Sequence, residues 1–221
     1  MSAPIRVLIV DDDALVRAGL SMMIAGTDDI RVVAEAADGS EVAAAVDAYA
    51  PDVVLMDIRM PGVDGLVATQ QVRSRAGADG PQVIVLTTFD ADEHVLRALR
   101  SGAGGFLLKD TPPQEIMRAI RLVAAGEAML SPAVTRRLIQ HVADDGHAGR
   151  RQDARAMLDR LTDREREVAI AIGQGKSNAE IAAELFMSVA TAKAHVSRLL
   201  QKLELDNRVQ IALLAHDAGI A

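Results

Sequence analysis

The first half of the chain alternates between two textures. Short apolar runs rich in Val, Ile and Leu occupy residues 5–10, 30–36, 53–56, 82–86 and 105–108. Between them, at 14–24, 40–49, 65–75, 91–101 and 112–125, apolar residues recur at helical spacing. The pattern reads as a strand–helix unit repeated along the chain, which predicts a parallel sheet with helices on both faces. The run Val53-Val54-Leu55-Met56 has no polar side, as a strand covered on both faces requires. The expected fold is α/β: a doubly wound, five-stranded parallel sheet of the flavodoxin-like kind, with strand order 2-1-3-4-5.

After residue 125 the texture changes. Residues 132–142 read as a short helix and 144–153, with Asp144-Asp145-Gly146 and Gly149, as a flexible linker. From Leu161 onward no strand pattern occurs. Thr162 with Glu165, and Ser177 with Glu180, have capping-box spacing. Ser188 is a further candidate cap, and Asn207 opens a last helix ending near Gly219. A small all-α module is expected. The domains are then 1–125, a helical or flexible linker 126–157, and 158–221.

The polar residues of the first domain fall in telling places. Asp11, Asp12 and Asp13 follow the first strand, Asp57 the third, Thr87 and Thr88 end the fourth, and Lys109 ends the fifth. All lie at carboxyl ends of parallel strands, the edge where open α/β sheets bind ligands. With strands 1 and 3 adjacent, Asp11, Asp12 and Asp57 converge. Gathered carboxylates repel one another and call for a cation. Oxygen ligands without Cys or His suit Mg²⁺. Lys109 adds a point charge for a phosphoryl group or for Asp57, and Thr87 a hydroxyl donor. Asp13 and Asp64, taken singly, read as turn formers and helix caps.

Composition narrows the classes. The chain has 221 residues, 50% of them hydrophobic but only 2% aromatic, so aliphatic side chains must do the packing. It has no Cys, which excludes disulfides and thiolate metal sites. No apolar run is long enough to cross a membrane, and the first residues lack the basic and apolar regions of a signal peptide. A cytoplasmic protein without membrane insertion is expected. The net charge is −7. Neither domain is basic overall, so a nucleic-acid partner must be argued from local placement.

The motifs resemble a known family. Val10-Asp11-Asp12-Asp13-Ala14-Leu15-Val16-Arg17, Leu55-Met56-Asp57-Ile58-Arg59-Met60-Pro61-Gly62, Val85-Leu86-Thr87-Thr88 and Gly105-Phe106-Leu107-Leu108-Lys109-Asp110 are similar, in order and spacing, to the landmarks of a response-regulator receiver domain. The resemblance covers residues 5–125. It implies that Asp57 is the phosphoacceptor, with Thr87 and Lys109 as its catalytic partners. It implies Mg²⁺ ligands in Asp12, Asp57 and the backbone carbonyl of Arg59, with Asp11 assisting through water. It further implies that Thr87 and Phe106 form a switch pair that reshapes the face made by the fourth helix, fifth strand and fifth helix. Lys109-Asp110 matches the NarL/FixJ subfamily, whereas Asp13 departs from its usual Gln, His or Glu.

In the second domain, Val196, Leu199, Leu200 and Leu203 form one helical stripe. The same helix carries Lys193, Arg198 and Lys202 and no acid. A short amphipathic helix and a tight turn at Met187-Ser188 precede it, as in a helix-turn-helix. Leu161-Thr162-Asp163-Arg164-Glu165, Gly175-Lys176-Ser177-Asn178-Ala179-Glu180 and Thr191-Ala192-Lys193-Ala194-His195-Val196 resemble the LuxR-type DNA-binding domain over residues 158–221. The resemblance places Lys193, Ala194 and Ser197 at base edges. It makes Lys176, Arg198 and Lys202 phosphate contacts, and puts Ser177, Asn178, Ser188 and Thr191 in the DNA-facing set. Ala192 replaces a usual Val, and Glu204 a usual Gly.

Together these features imply a DNA-binding response regulator of a two-component system. Its partners would be a sensor histidine kinase, promoter DNA and a second copy of itself after phosphorylation. It would be no enzyme beyond self-catalysed phosphoryl transfer to Asp57 and autodephosphorylation. Two alternatives stand beside it. One is a haloacid-dehalogenase-like phosphatase with Asp11 as nucleophile. The other is a regulator that works without phosphate.

Overall fold

The computed structural model describes residues 3–76, 80–88, 97–130 and 148–220. The chain divides into two compact units, Met1–Val134 and Thr135–Ala221.

In the first unit β1 (Ile5–Val10), α1 (Ala14–Ala25), β2 (Ile30–Ala36), α2 (Gly39–Tyr49), β3 (Val53–Asp57), α3 (Gly65–Ala76), β4 (Gln82–Thr87), β5 (Gly105–Leu108), α4 (Pro113–Ala124) and β6 (Met129–Leu130) follow in order. The sheet runs β2-β1-β3-β4-β5-β6, and every pairing is parallel. This is the flavodoxin-like order expected from the sequence, with one short strand added. The two-residue β6 carries too little pattern to be read as a strand. It forms because Gly126, at φ 82°, turns the chain back after α4. Gly105 then lets it approach: a Cβ there would lie 3.2 Å from the Met129 carbonyl oxygen. Of the helix expected at 91–101, residues 97–100 are helical and 91–96 lie outside the described residues.

Alternate residues of each strand feed opposite faces. Val7, Ile9, Val53, Leu55, Ile84 and Leu86 pack with Leu20 and Ile24 of α1 and Ile116 and Ile120 of α4. Leu8, Val10, Val54, Met56 and Val83 pack with Val42 of α2 and Ala68 and Val72 of α3. Both faces are covered, so these strands need no polar side. The register sets Val10 beside Met56 and Asp57 beside Leu86, which brings the residues just past β1 level with the end of β3.

The second unit contains α5 (Ala148–Leu158), α6 (Asp163–Gly173), α7 (Asn178–Glu184), α8 (Val189–Leu203) and α9 (Arg208–Asp217). The caps expected at Thr162, Ser177, Ser188 and Asn207 are all present, the first two as full capping boxes. The linker expected at 144–153 is corrected from 148 onward, where α5 runs as helix. Ala154 and Leu158 are buried, and the Arg155 side chain donates to the Ala218 carbonyl at 3.1 Å. That anchor lies beyond α9, so residues 148–153 alone could not announce it. The short helix expected at 132–142 lies outside the described residues.

Candidate functional site

The acidic rim is built by strand ends. β1 and β3 are neighbours, so the backbone carries Asp11 and Asp57 to one edge of the sheet. One carboxylate oxygen from each of Asp11, Asp12 and Asp57 lies within 4.8 Å of the others. Asp11 and Asp57 are only 2% and 5% exposed, whereas Asp12 is exposed. Lys109, delivered by the end of β5, reaches Asp11 Oδ2 at 2.6 Å and Asp57 Oδ2 at 3.2 Å. Its own N–H donates to the Thr87 carbonyl at 2.8 Å, which fixes the β4 and β5 ends together.

Burial pushes the Asp57 carboxyl above its ordinary value; Lys109 pulls it back and Asp11 raises it further. Burial also works against the Lys109 charge. The hydrogen bond to Asp11 and the fields of Asp57 and Asp11 together outweigh it, leaving the ammonium pKa raised. One ammonium thus serves two buried carboxylates, with a third beside them. The donor set is all oxygen, with no Cys or His, and could hold a hard divalent cation. A cavity of about 360 Å³, lined by Asp12, Arg59, Pro61, Asp64 and Arg97 among others, opens beside Asp12.

Asp13 caps α1, accepting from the Leu15 N–H at 2.8 Å, and Asp64 caps α3, accepting from Leu66 and Val67 at 2.9 Å. Both therefore do the local work read for them. Asp11 is held by Lys109 and by the Asp13 N–H at 3.0 Å, an arrangement that pins the carboxylate the phosphatase reading would use as nucleophile. Thr87 ends β4 almost fully buried. Phe106 is 0% exposed and lies across from Val85.

Sequence reasoning missed Asp38, which caps α2 and also grips the loop after Asp57. Its signal was the Asp38-Gly39 turn before an amphipathic helix.

The residues expected to meet DNA divide in two groups. On α8, Ala192, Val196, Leu199, Leu200 and Leu203 are buried. Lys193, Ala194 and Arg198 are exposed and Ser197 is half-buried. Lys193 and Arg198 make no ion pair among the described residues. Lys202 behaves differently: it donates to Glu165 Oε2 at 2.6 Å. That hydrogen bond, with the Thr162 backbone N–H, lowers the Glu165 pKa to about 2. Lys176 is paired with Glu184. Ser177, Ser188 and Thr191 spend hydroxyl contacts on helix caps. Asn178 is buried, accepting from Arg208, whose other nitrogen donates to the Lys176 carbonyl at 2.6 Å. The three cations expected at phosphate, Lys176, Arg198 and Lys202, are thus unequal in the folded unit. Phe186, at the turn before α8, is left-handed at φ 51° and exposed.

Comparison with known proteins follows the same division. The model of the response regulator receiver domain matches residues 7–121, and that of the luxR family of bacterial regulatory proteins matches residues 159–215. The transcriptional regulatory protein LiaR of Bacillus subtilis is 39% identical, over 96% of this chain and 97% of its own length. The nitrate/nitrite response regulator NarL of Escherichia coli K12 is 33% identical, over 98% and 97%. The crystal structure of the response regulator ChrA of a heme-sensing two-component system covers 100% of both chains at 38% identity, with a TM-score of 0.54. The chain therefore belongs to the transcriptional response regulators of the NarL type, in which a receiver domain is joined to a LuxR-type DNA-binding domain.

Proposed function

We propose that Asp57 takes a phosphoryl group from a sensor histidine kinase and that this modification governs promoter binding by α8. The observation that carries the reading is the joint placement of Asp11, Asp12, Asp57 and Lys109 at one sheet edge. Asp11, Asp12, Asp57 and the Arg59 carbonyl would hold Mg²⁺, which when bound neutralises charge on phosphoryl oxygens. An Asp57 carboxylate oxygen attacks phosphorus, the P–N bond to the kinase imidazole breaks, and an acyl phosphate forms. Lys109 leaves its ion pair with Asp57 and meets the new phosphoryl oxygens. The Thr87 hydroxyl donates to one of them. Phe106, two positions along the neighbouring strand, reports that movement to the face around β5 and α4. The reaction is self-catalysed; water later hydrolyses the acyl phosphate, returning the Asp57 carboxylate and releasing inorganic phosphate.

In the second unit α8 enters the major groove. Lys193, Ala194 and Ser197 face base edges, and Arg198 meets phosphate. Small Ala194 and Ser197 leave room for readout through water and DNA shape. Phosphorylation favours a homodimer that binds paired half-sites in promoter DNA, in the cytoplasm. Incubation of the full chain with acetyl phosphate and Mg²⁺ tests this. Mass spectrometry should locate one labile phosphoryl group on Asp57, and promoter affinity should rise. A phosphoryl group on Asp11, or promoter binding that ignores the phosphodonor in both the native chain and Asp57→Ala, would sink the reading.

A further inference from the structure

We propose that Asp38, outside the acidic rim, is a positioning residue that holds the loop carrying the Arg59 carbonyl in its ligating shape. This rests on the reading of the rim as a phosphoacceptor site with Mg²⁺.

A helix cap needs one acceptor. Asp38 has two oxygens and uses both. Oδ1 accepts from the Ser40 N–H at 2.9 Å, which caps α2. Oδ2 accepts from the Gly62 N–H at 2.8 Å, and both oxygens lie 3.2 Å from the Val63 nitrogen. The grip spans 24 residues of sequence and joins the turn after β2 to the loop after β3. The next residue strengthens it, since the Gly39 N–H donates to the Val63 carbonyl at 3.2 Å.

The gripped loop is residues 58–64, which follows Asp57 directly. Its far end closes on its beginning: the Gly65 N–H donates to the Ile58 carbonyl at 2.9 Å, and a Cβ on Gly65 would lie 1.8 Å from the Asp57 carbonyl oxygen. The loop is therefore pinned at its base by Gly65 and at its tip by Asp38. Arg59 lies between the two pins. The contact at the tip is tight enough to exclude a side chain. A Cβ on Gly62 would sit 2.5 Å from Asp38 Oδ2, and one on Gly39 would sit 2.3 Å from the Val63 oxygen. Gly62 is not among the glycines with positive φ, so proximity to the carboxylate, and not backbone conformation, selects glycine there. These hydrogen bonds, those from Ser40 first, lower the Asp38 pKa to about 2. The carboxylate stays charged and accepting at neutral pH.

Outer partners of a metal site orient the ligands, and their loss typically weakens metal affinity about 10–100-fold. Cap and grip can be separated. Asp38→Ser retains a capping oxygen but cannot reach the second loop with two acceptors. Gly62→Ala attacks the same grip from the other side. Val42→Ala is the control: it removes buried volume from the cluster that α2 shares with Met60 and Val63 of the loop, and leaves every hydrogen bond of Asp38 in place.

The experiment is Mg²⁺ titration by calorimetry on the full chain, with the rate of Asp57 modification by acetyl phosphate and the melting temperature measured in parallel. Asp38→Ser and Gly62→Ala should each weaken Mg²⁺ binding by about tenfold or more, and the double variant should be no worse than either alone. Val42→Ala should lower the melting temperature yet bind Mg²⁺ within about twofold of the native chain. Native Mg²⁺ affinity in Asp38→Ser, or a loss in Val42→Ala as large as that in Asp38→Ser, overturns the positioning role. A native chain that neither binds Mg²⁺ nor takes up phosphoryl overturns the reading beneath it, whatever the variants do.

Discussion

At the strand ends of the first unit, two carboxylates lie almost out of water, and one partly buried ammonium lies 2.6 and 3.2 Å from them. In the second unit the cations of α8 lie at the surface, and Lys202 is tied by its neighbour Glu165. Charge is concentrated in one region and spread in the other. In a buried site each charge depends on the others, and removing the one shared partner strands the rest. At a surface, solvent screens each charge, and single losses add up nearly independently. Chemistry at one atom needs the first arrangement; adhesion to a long polyanion needs the second.

Six substitutions test that contrast, the largest effect first. Asp57→Asn should abolish phosphoryl uptake from acetyl phosphate, read on a phosphate-affinity gel. It should also raise the melting temperature in the absence of Mg²⁺, by about 1–2 kcal/mol of stability, because it removes a buried carboxylate charge. Native-like uptake, or a fall in melting temperature, would break the account of a strained acidic site.

Lys109→Ala should slow uptake by about two orders of magnitude or more and lower stability by about 3 kcal/mol, since Asp11 and Asp57 lose their shared partner. Mg²⁺ should restore more stability to this variant than to the native chain.

On α8, Arg198→Ala should weaken promoter binding and reduce the slope of log affinity against log salt by about one. Lys202→Ala should change that slope less and instead destabilise the second unit, because its partner is Glu165. Equal slopes for the two would erase the distinction drawn between them. The same ion pair gives a pH signature. Glu165 has its pKa lowered from 4.5 to about 2. Its contribution is therefore complete above the unfolded value and is lost as the solution is acidified toward pH 2. After allowance for solvent screening it is on the order of 1 kcal/mol. Glu165→Gln should flatten the acid limb of stability between those two values.

The smallest effect concerns Glu204, which closes α8 in the left-handed region at φ 55°. Glu204→Gly should stabilise the second unit by about 0.5–1 kcal/mol, measured by thermal or urea unfolding, with promoter affinity unchanged. Glu204 is the departure from the usual glycine that the sequence displayed; its cost became definite only with the backbone angle.

What could be read in the sequence shares a physical trait: it is local or periodic. Strands β1 to β5 announce themselves by apolar runs, α8 by its stripe from Val196 to Leu203, and the caps at Thr162, Ser177, Ser188 and Asn207 by one residue and its third neighbour. Asp11, Asp12, Asp57 and Lys109 could be placed on one rim because strand ends fall on one edge of a parallel sheet. The remainder depends on partners distant in sequence. α5 is fixed by the end of α9, Lys202 is matched with Glu165 across 37 residues, Asn178 is buried under Arg208, and β6 fits only where Gly105 leaves space. The sequence by itself determined the local and periodic elements and which groups carry charge. Tertiary structure decided which charges stay available, because pairing and burial depend on distances that close only when the chain has folded.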